Sequence, residues 1–256
     1  MAEARQVSSR DNPLLVRVRK LGADPGAYRK LGEVWLEGDH LCSAFAQRGG
    51  RAVQAIVSTA GWEQPALRAL AGQAAAVAIV PPELMAGLST LESPPEIGFV
   101  VTTPTAPALA PEQASVVLDR LQDAGNIGAI LRSASAFGFT QVLALKGTAA
   151  LWSPKVLRAG MGAHFGLRLL EGLEPEALAA LQTPLVATSS HAGALLPSAP
   201  LPQPCAWAMG HEGQGVARAL LARCALQVRI PQPGGEESLN VAAAAAVCLY
   251  ESARRA

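Results

Sequence analysis

Residues 115–256 carry the strongest constraint on how this chain can fold. Short apolar runs recur there at 115–118, 141–145, 166–170, 184–188, 205–209 and 225–230, with helical spacing between most of them and a last helix from about Leu239 to Arg254. Several runs are apolar at every position rather than at alternate ones. Strands covered on both faces read this way, as in a parallel sheet built from βαβ units. The pattern predicts an α/β domain with a doubly wound parallel sheet, in which ligands bind beyond the carboxyl ends of the strands.

Residues 102–114 (TTPTAPALAPEQA) contain three prolines and no periodicity. Proline fixes φ and lacks an amide proton, so this stretch reads as an extended linker. It separates 1–101 from 115–256. Before it, β-like runs at 34–36, 52–57, 77–80 and 97–101 alternate with helical stretches at 13–21, 39–48, 63–72 and 82–88. That alternation predicts a small α/β domain.

Composition removes several function classes. The longest apolar run, 241–250, is too short to cross a bilayer, and the polar N-terminus is no secretory signal, so the expected location is cytoplasmic. The cysteines Cys42, Cys205, Cys224 and Cys248 form no Cys-x-x-Cys pair. The histidines His40, His164, His191 and His211 are scattered. No metal site is expected from either set. The net charge is +1, yet residues 1–30 hold seven of the 21 Lys and Arg: Arg5, Arg10, Arg17, Arg19, Lys20, Arg29 and Lys30. A local basic surface can meet phosphates while the total stays near neutral. A solvated helix face has the same composition, and charge alone leaves both readings open.

Three segments follow predicted strands. In Leu118–Arg132, Gly125 and Asn126 fall in the strand-to-helix turn. Helical spacing then sends Ile127, Ile130, Leu131, Ala134 and Phe137 toward the sheet. Arg132, in the second helical turn, is expected to project into the same crevice as Asn126. In 208–216, the glycines Gly210, Gly213 and Gly215 exceed what a turn needs and expose backbone groups to a flat ligand. Their order is not that of a dinucleotide fingerprint. Glu212 suits orienting an arginine or capping a helix. In 230–241, a strand ends at Ile230-Pro231, a Gly-rich loop follows, and Ser238 is a natural N-cap for the last helix. Capping by Ser238 leaves Asn240 unexplained.

Together and in this order, the three segments resemble the signature motifs of the SpoU-type (TrmH-like) 2′-O-ribose RNA methyltransferases of the SPOUT superfamily. The stretch Lys155–Ala163 resembles the family's intervening Arg-Ala-Ser-x-Gly-Ala. The similarity covers 116–256. Ser9–Pro13, with Glu37-Gly38, is similar to the L30e-like substrate-binding domain often fused ahead of the catalytic one. The resemblance implies a SPOUT domain at 115–256 with a C-terminal trefoil knot, an exception to the rule that chains do not thread. It implies S-adenosyl-L-methionine as cofactor, held largely by backbone groups at Thr188, Gly210, Gly213, Ile230 and Leu239. It implies catalytic positions at Asn126, Arg132, Glu212, Ser238 and Asn240, with Glu212 holding Arg132. RNA is the implied partner, ribosomal RNA before transfer RNA, and the implied assembly is a homodimer. Ala124, Gln232 and Ala242 depart from the family's usual proline, methionine and serine.

Two other readings compete. A nicotinamide-dependent oxidoreductase would need an acidic residue suitably placed after the first strand–turn–helix unit, and none stands there. An RNA-binding assembly factor that had lost catalysis would not need the polar motif residues, which are intact.

Overall fold

In the computed structural model of the chain, residues 4–189, 192–234 and 238–256 are described. The first part runs β1 (Ala4–Gln6), α1 (Pro13–Ala23), α2 (Ala27–Leu31), β2 (Glu33–Glu37), α3 (Asp39–Gln47), β3 (Gln54–Ser58), α4 (Thr59–Glu63), α5 (Pro65–Ala71), β4 (Val77–Val80), α6 (Pro82–Ala86) and β5 (Ile97–Thr102). The second runs β6 (Ser115–Asp119), α7 (Ala124–Ala136), β7 (Gln141–Leu145), α8 (Pro154–Gly160), β8 (Arg168–Leu173), β9 (Leu185–Thr188), β10 (Ala194–Leu195), β11 (Ala206–Gly210), α9 (Arg218–Leu221), β12 (Leu226–Arg229) and α10 (Val241–Arg254). Two compact units result: Met1–Thr105 with Trp152–Phe165, and Ala106–Leu151 with Gly166–Ala256.

The first unit is built on a five-stranded sheet of order β1-β4-β3-β5-β2. β1, β4 and β3 run parallel, while β5 pairs antiparallel with both β3 and β2, so the sheet is mixed. α1 opens as its sequence demands: Asn12 Oδ1 accepts from Leu14 N at 2.9 Å, and Pro13 takes the first helical position. The helix expected over 63–72 is α5, and the short α4 directly ahead of it was not expected. Gln64 precedes Pro65 and is held extended at ψ 117°, as the residue before a proline prefers.

The structure groups 152–165 with the first unit, although the sequence places it in the catalytic part. α8 packs on β2 and α1, and Arg158 Nη1 meets Glu37 Oε2 at 3.0 Å. The Glu37 side chain is only 5% exposed, so removing its cation leaves a buried charge. Arg158→Ala is therefore expected to destabilise the first unit by about 2–3 kcal/mol. That is below the full cost for a buried pair, because the guanidinium keeps a quarter of its surface. Urea denaturation checks it, and a loss under about 0.5 kcal/mol contradicts it.

The second unit carries the parallel sheet expected from the apolar runs. Its seven strands follow the order β10-β12-β9-β11-β6-β7-β8, and every pair is parallel. β6, β7 and β11 are buried at every residue. From β6 the chain steps outward through β7 to β8, then returns to the opposite side for β9, β11 and β12. That reversal places a crevice beside β6 and β11. α10 is fastened over the sheet by Trp207 Nε1, which donates to Ser252 Oγ at 2.9 Å.

The proline-rich stretch is not a free tether over its whole length. The buried Gln141 amide bonds both backbone groups of Ala110, at 2.8 and 3.0 Å, and Arg168 Nη2 donates to Ala108 O at 2.7 Å. Residues 106–114 thus belong to the second unit, while 102–105 stay with the first. Among the described residues no helix is long and apolar enough to cross a membrane.

Candidate active site

The turn after β6, the loop after β11 and the start of α10 come together through side chains. Gly210 closes β11 directly beside Asp119, which closes β6. α7 then begins at Ala124, where Asp123 Oδ1 accepts from Asn126 N at 2.7 Å. Asn126 therefore lies in the first helical turn, just past the place the sequence suggested.

From there Asn126 reaches both other motifs. Its Nδ2 donates to Glu212 Oε1 at 3.2 Å, and its Oδ1 accepts from Asn240 Nδ2 at 2.9 Å. Asn240 Oδ1 in turn accepts from Ala242 N at 2.9 Å and Ala243 N at 3.2 Å. Asn240, not Ser238, is thus the N-cap of α10, and the helix starts two residues later than expected. Ser238 and Leu239 are exposed ahead of it. The neighbouring Gly235, Glu236 and Glu237 of this motif, like His191, lie outside the described residues.

Glu212 does not hold Arg132, contrary to expectation. Its oxygens accept from Gln122 N at 3.3 Å and Asp123 N at 3.1 Å besides Asn126. It fastens the turn before α7. Arg132 follows Asn126 by six residues, about 240° round the helix axis, so the two side chains leave α7 on different faces. It sits in the third turn, exposed, with no bonding partner among the described residues.

Partial burial pushes the Glu212 carboxyl pKa up, but its own backbone amide, those of Asp123 and Gln122, and the Asn126 side chain outweigh that. The net position is below the ordinary 4.5. A lowered pKa stabilises the folded loop fully above 4.5, and that stabilisation is lost as pH falls through the folded value beneath it. The amide resonances of Gln122 and Asp123 are expected to titrate together with a midpoint under 4.5. A midpoint at or above it contradicts the bonding scheme.

Two of the residues assigned to the cofactor stand at the carboxyl ends of neighbouring strands. Thr188 ends β9, which lies between β11 and β12, and Ile230 follows β12 directly. Gly210 admits no side chain: a Cβ there would stand 2.1 Å from the Gly215 carbonyl carbon and the Val216 nitrogen. The loop thus folds back on the strand end, with Gly213 exposed at its tip. Gln232 Oε1, where the family usually has methionine, is buried without a hydrogen-bond partner among the described residues. An N–H donor on a ligand would satisfy it. Amino groups on an adenine or an amino acid are such donors, so these residues fit S-adenosylmethionine. Among the described residues no group of three His, Cys, Asp or Glu side chains is placed to hold a metal ion.

Sequence reasoning missed Asp119 and Arg120. Asp119 is 2% exposed, and Arg120 adopts φ +60°. Only the charge of an Asp-Arg pair at a strand end hinted at them.

Comparison with known proteins agrees with this geometry. The model of the SpoU rRNA Methylase family matches residues 113–250. An uncharacterized tRNA/rRNA methyltransferase of Synechocystis sp. is 34% identical over 259 residues, covering 97% of this chain and 93% of that one. The Bacillus subtilis 23S rRNA (guanosine(2553)-2′-O)-methyltransferase RlmP is 33% identical, over 66% of this chain and 68% of its own. Among solved structures, the SpoU methyltransferase AviRb of Streptomyces viridochromogenes in complex with AdoMet superposes with a TM-score of 0.85 at 27% identity, covering 95% and 98% of the two chains. The motif side chains meet where the family match runs, and near-full-length likeness extends through both units: this chain belongs to the SpoU rRNA Methylase family.

Proposed function

We propose that this chain transfers a methyl group from S-adenosyl-L-methionine to a ribose 2′-hydroxyl of ribosomal RNA. The observation that carries the reading is the Glu212–Asn126–Asn240 chain, which joins three separate motifs at one crevice. The Bacillus relative named for 23S rRNA and the AdoMet complex support the substrate and the cofactor.

S-adenosylmethionine supplies an electrophilic methyl group on a sulfonium. This chain's part is to align a hydroxyl with it and exclude water. Asn126 and Asn240 fix each other's amide orientation and so offer defined contacts to a ribose. Ser238, exposed ahead of α10, adds a hydroxyl. A guanidinium has donors only and no acceptor, so Arg132 serves as a cation. It binds the RNA phosphate and stabilises the forming alkoxide. Glu212 is ionised at neutral pH and occupied by its donors, so it holds the turn; the hydroxyl proton goes to the RNA phosphate or to another acceptor.

The first unit, read as L30e-like, presents the target RNA. Exposed Arg10, Lys20, Arg29 and Lys30 support that role through phosphate contacts. Family resemblance supports a trefoil knot in the second unit. Four free cysteines support a reducing, cytoplasmic setting. A second copy of the chain is the proposed partner of α10, where Val247 and Tyr250 stand 41% and 54% exposed at helical spacing. Sedimentation showing only monomer at micromolar concentration overturns that part.

Mapping 2′-O-methyl sites in cellular RNA with and without the gene tests the function. Loss of one ribosomal site is expected. Loss confined to transfer RNA moves the substrate, and RNA binding without uptake of S-adenosylmethionine leaves the assembly-factor reading.

A further inference from the structure

The Asp119–Arg120 pair lies at the start of the first motif segment, and the reaction as proposed uses neither side chain. Asp119 Oδ2 accepts from Ala217 N at 2.7 Å, at the far end of the loop that Gly210 begins. Arg120 grips both its neighbour and the loop. Its Nε and Nη2 donate to Asp119 Oδ1 and Oδ2 at 2.9 and 3.2 Å. Its Nη1 donates to Gln214 Oε1 at 3.0 Å and its Nη2 to Gly215 O at 3.4 Å. Its backbone amide donates to Thr148 Oγ1 at 3.1 Å, and that hydroxyl donates to Leu118 O at 3.0 Å.

All of this happens at φ +60°, a left-handed conformation that glycine adopts freely and arginine does not. A backbone turn alone would be better served by glycine. The strain persists because the side chain is held on several sides at once. Meanwhile the loop it holds is rich in glycine and makes few bonds of its own. Its internal ties are Gly215 N to His211 O at 2.8 Å, and Gly213 N and Gln214 N to His211 Nδ1 at 3.0 and 3.3 Å. Such a loop, released, would have to be ordered again each time a ligand bound.

We infer that Arg120, with Asp119, is a positioning pair that holds loop 211–217 in the shape that receives S-adenosylmethionine, acting through Gly210 and Glu212. The inference rests on the functional reading above, which places the cofactor against that loop.

Arg120→Gly is the informative variant. It suits the backbone conformation and removes every guanidinium bond. Its thermal midpoint is expected within about 2 °C of wild type. Its dissociation constant for S-adenosylmethionine, by calorimetry, is expected to rise about tenfold or more, from ordering the loop on binding. KM for the cofactor rises with it while KM for RNA does not. In the unliganded protein, amide exchange at 213–217 is expected to quicken. Arg120→Lys offers one point charge and restores only part of the affinity. Equal cofactor affinity and unchanged loop exchange in Arg120→Gly overturn the inference. So does a fall in midpoint with exchange quickening throughout the sheet, which marks a general structural role. Wild-type protein that takes up no S-adenosylmethionine overturns the functional reading itself, and the inference with it.

Discussion

Asn126→Ala is expected to lower kcat for 2′-O-methylation by about 10²- to 10³-fold, the scale of a misplaced reacting group in an aligned displacement. Among the described residues, Asn126 is the only side chain that bonds to both Glu212 and Asn240. Its loss leaves Asn240 Nδ2 without that acceptor and takes one donor from Glu212. Both positions face solvent, so the stability change stays near 1 kcal/mol. The cap of α7 survives, because Asp123 bonds the backbone nitrogen of residue 126 and not its side chain. Activity and folding are thereby separable. Asn126→Asp sharpens the test. It keeps an acceptor for Asn240 but sets a second carboxylate where Asn126 Nδ2 now meets Glu212 at 3.2 Å. Like charges at that range raise a carboxyl pKa, so the lowered value of Glu212 should move back up. Single-turnover rates at saturating cofactor measure both variants. A rate for Asn126→Ala within threefold of wild type would refute the proposed role.

How much of this could be read beforehand depended on how local each cause is. β7 was expected over 141–145 and found there, because a strand buried on both faces must be apolar throughout. β1 was not expected. Its residues Ala4, Arg5 and Gln6 are all exposed, and it exists only by pairing with the edge of β4. The placement of 152–165 rests on packing against β2 and α1, with an ion pair between residues 121 apart in sequence, and no window shows either. The site divides the same way. The motif residues were legible because strand ends and helix starts announce themselves through glycine, asparagine and caps. Their bonding was not. Glu212 turned to the amides of Gln122 and Asp123, and backbone amides carry no residue-specific mark. Arg120 was passed over because a positive φ in a non-glycine residue is decided by its tertiary partners.

Arg132→Ala is expected to reduce kcat/KM for RNA by about 10²- to 10³-fold, the usual cost of deleting one charge-stabilising donor from a transition state. Affinity for S-adenosylmethionine should hold within about twofold, and stability within about 0.5 kcal/mol, since an exposed side chain without partners leaves nothing buried behind. The lysine variant separates two roles for this residue. If Arg132 pairs with phosphate as a planar fork, Arg132→Lys keeps the charge but loses the bidentate geometry, and about tenfold of activity goes with it. Its rate then follows the same pH profile as wild type. If the side chain instead accepts the hydroxyl proton, lysine is the better base. The rate of Arg132→Lys would then climb tenfold per pH unit toward the lysine pKa near about 10.4. Structure favours the fork: Arg132 is exposed, and among the described residues no carboxylate holds it away from RNA. Steepening salt dependence in wild type relative to Arg132→Ala would report the same phosphate contact from the binding side, with the slope differing by about one. Near-full activity in the lysine variant at neutral pH would show that charge alone suffices there.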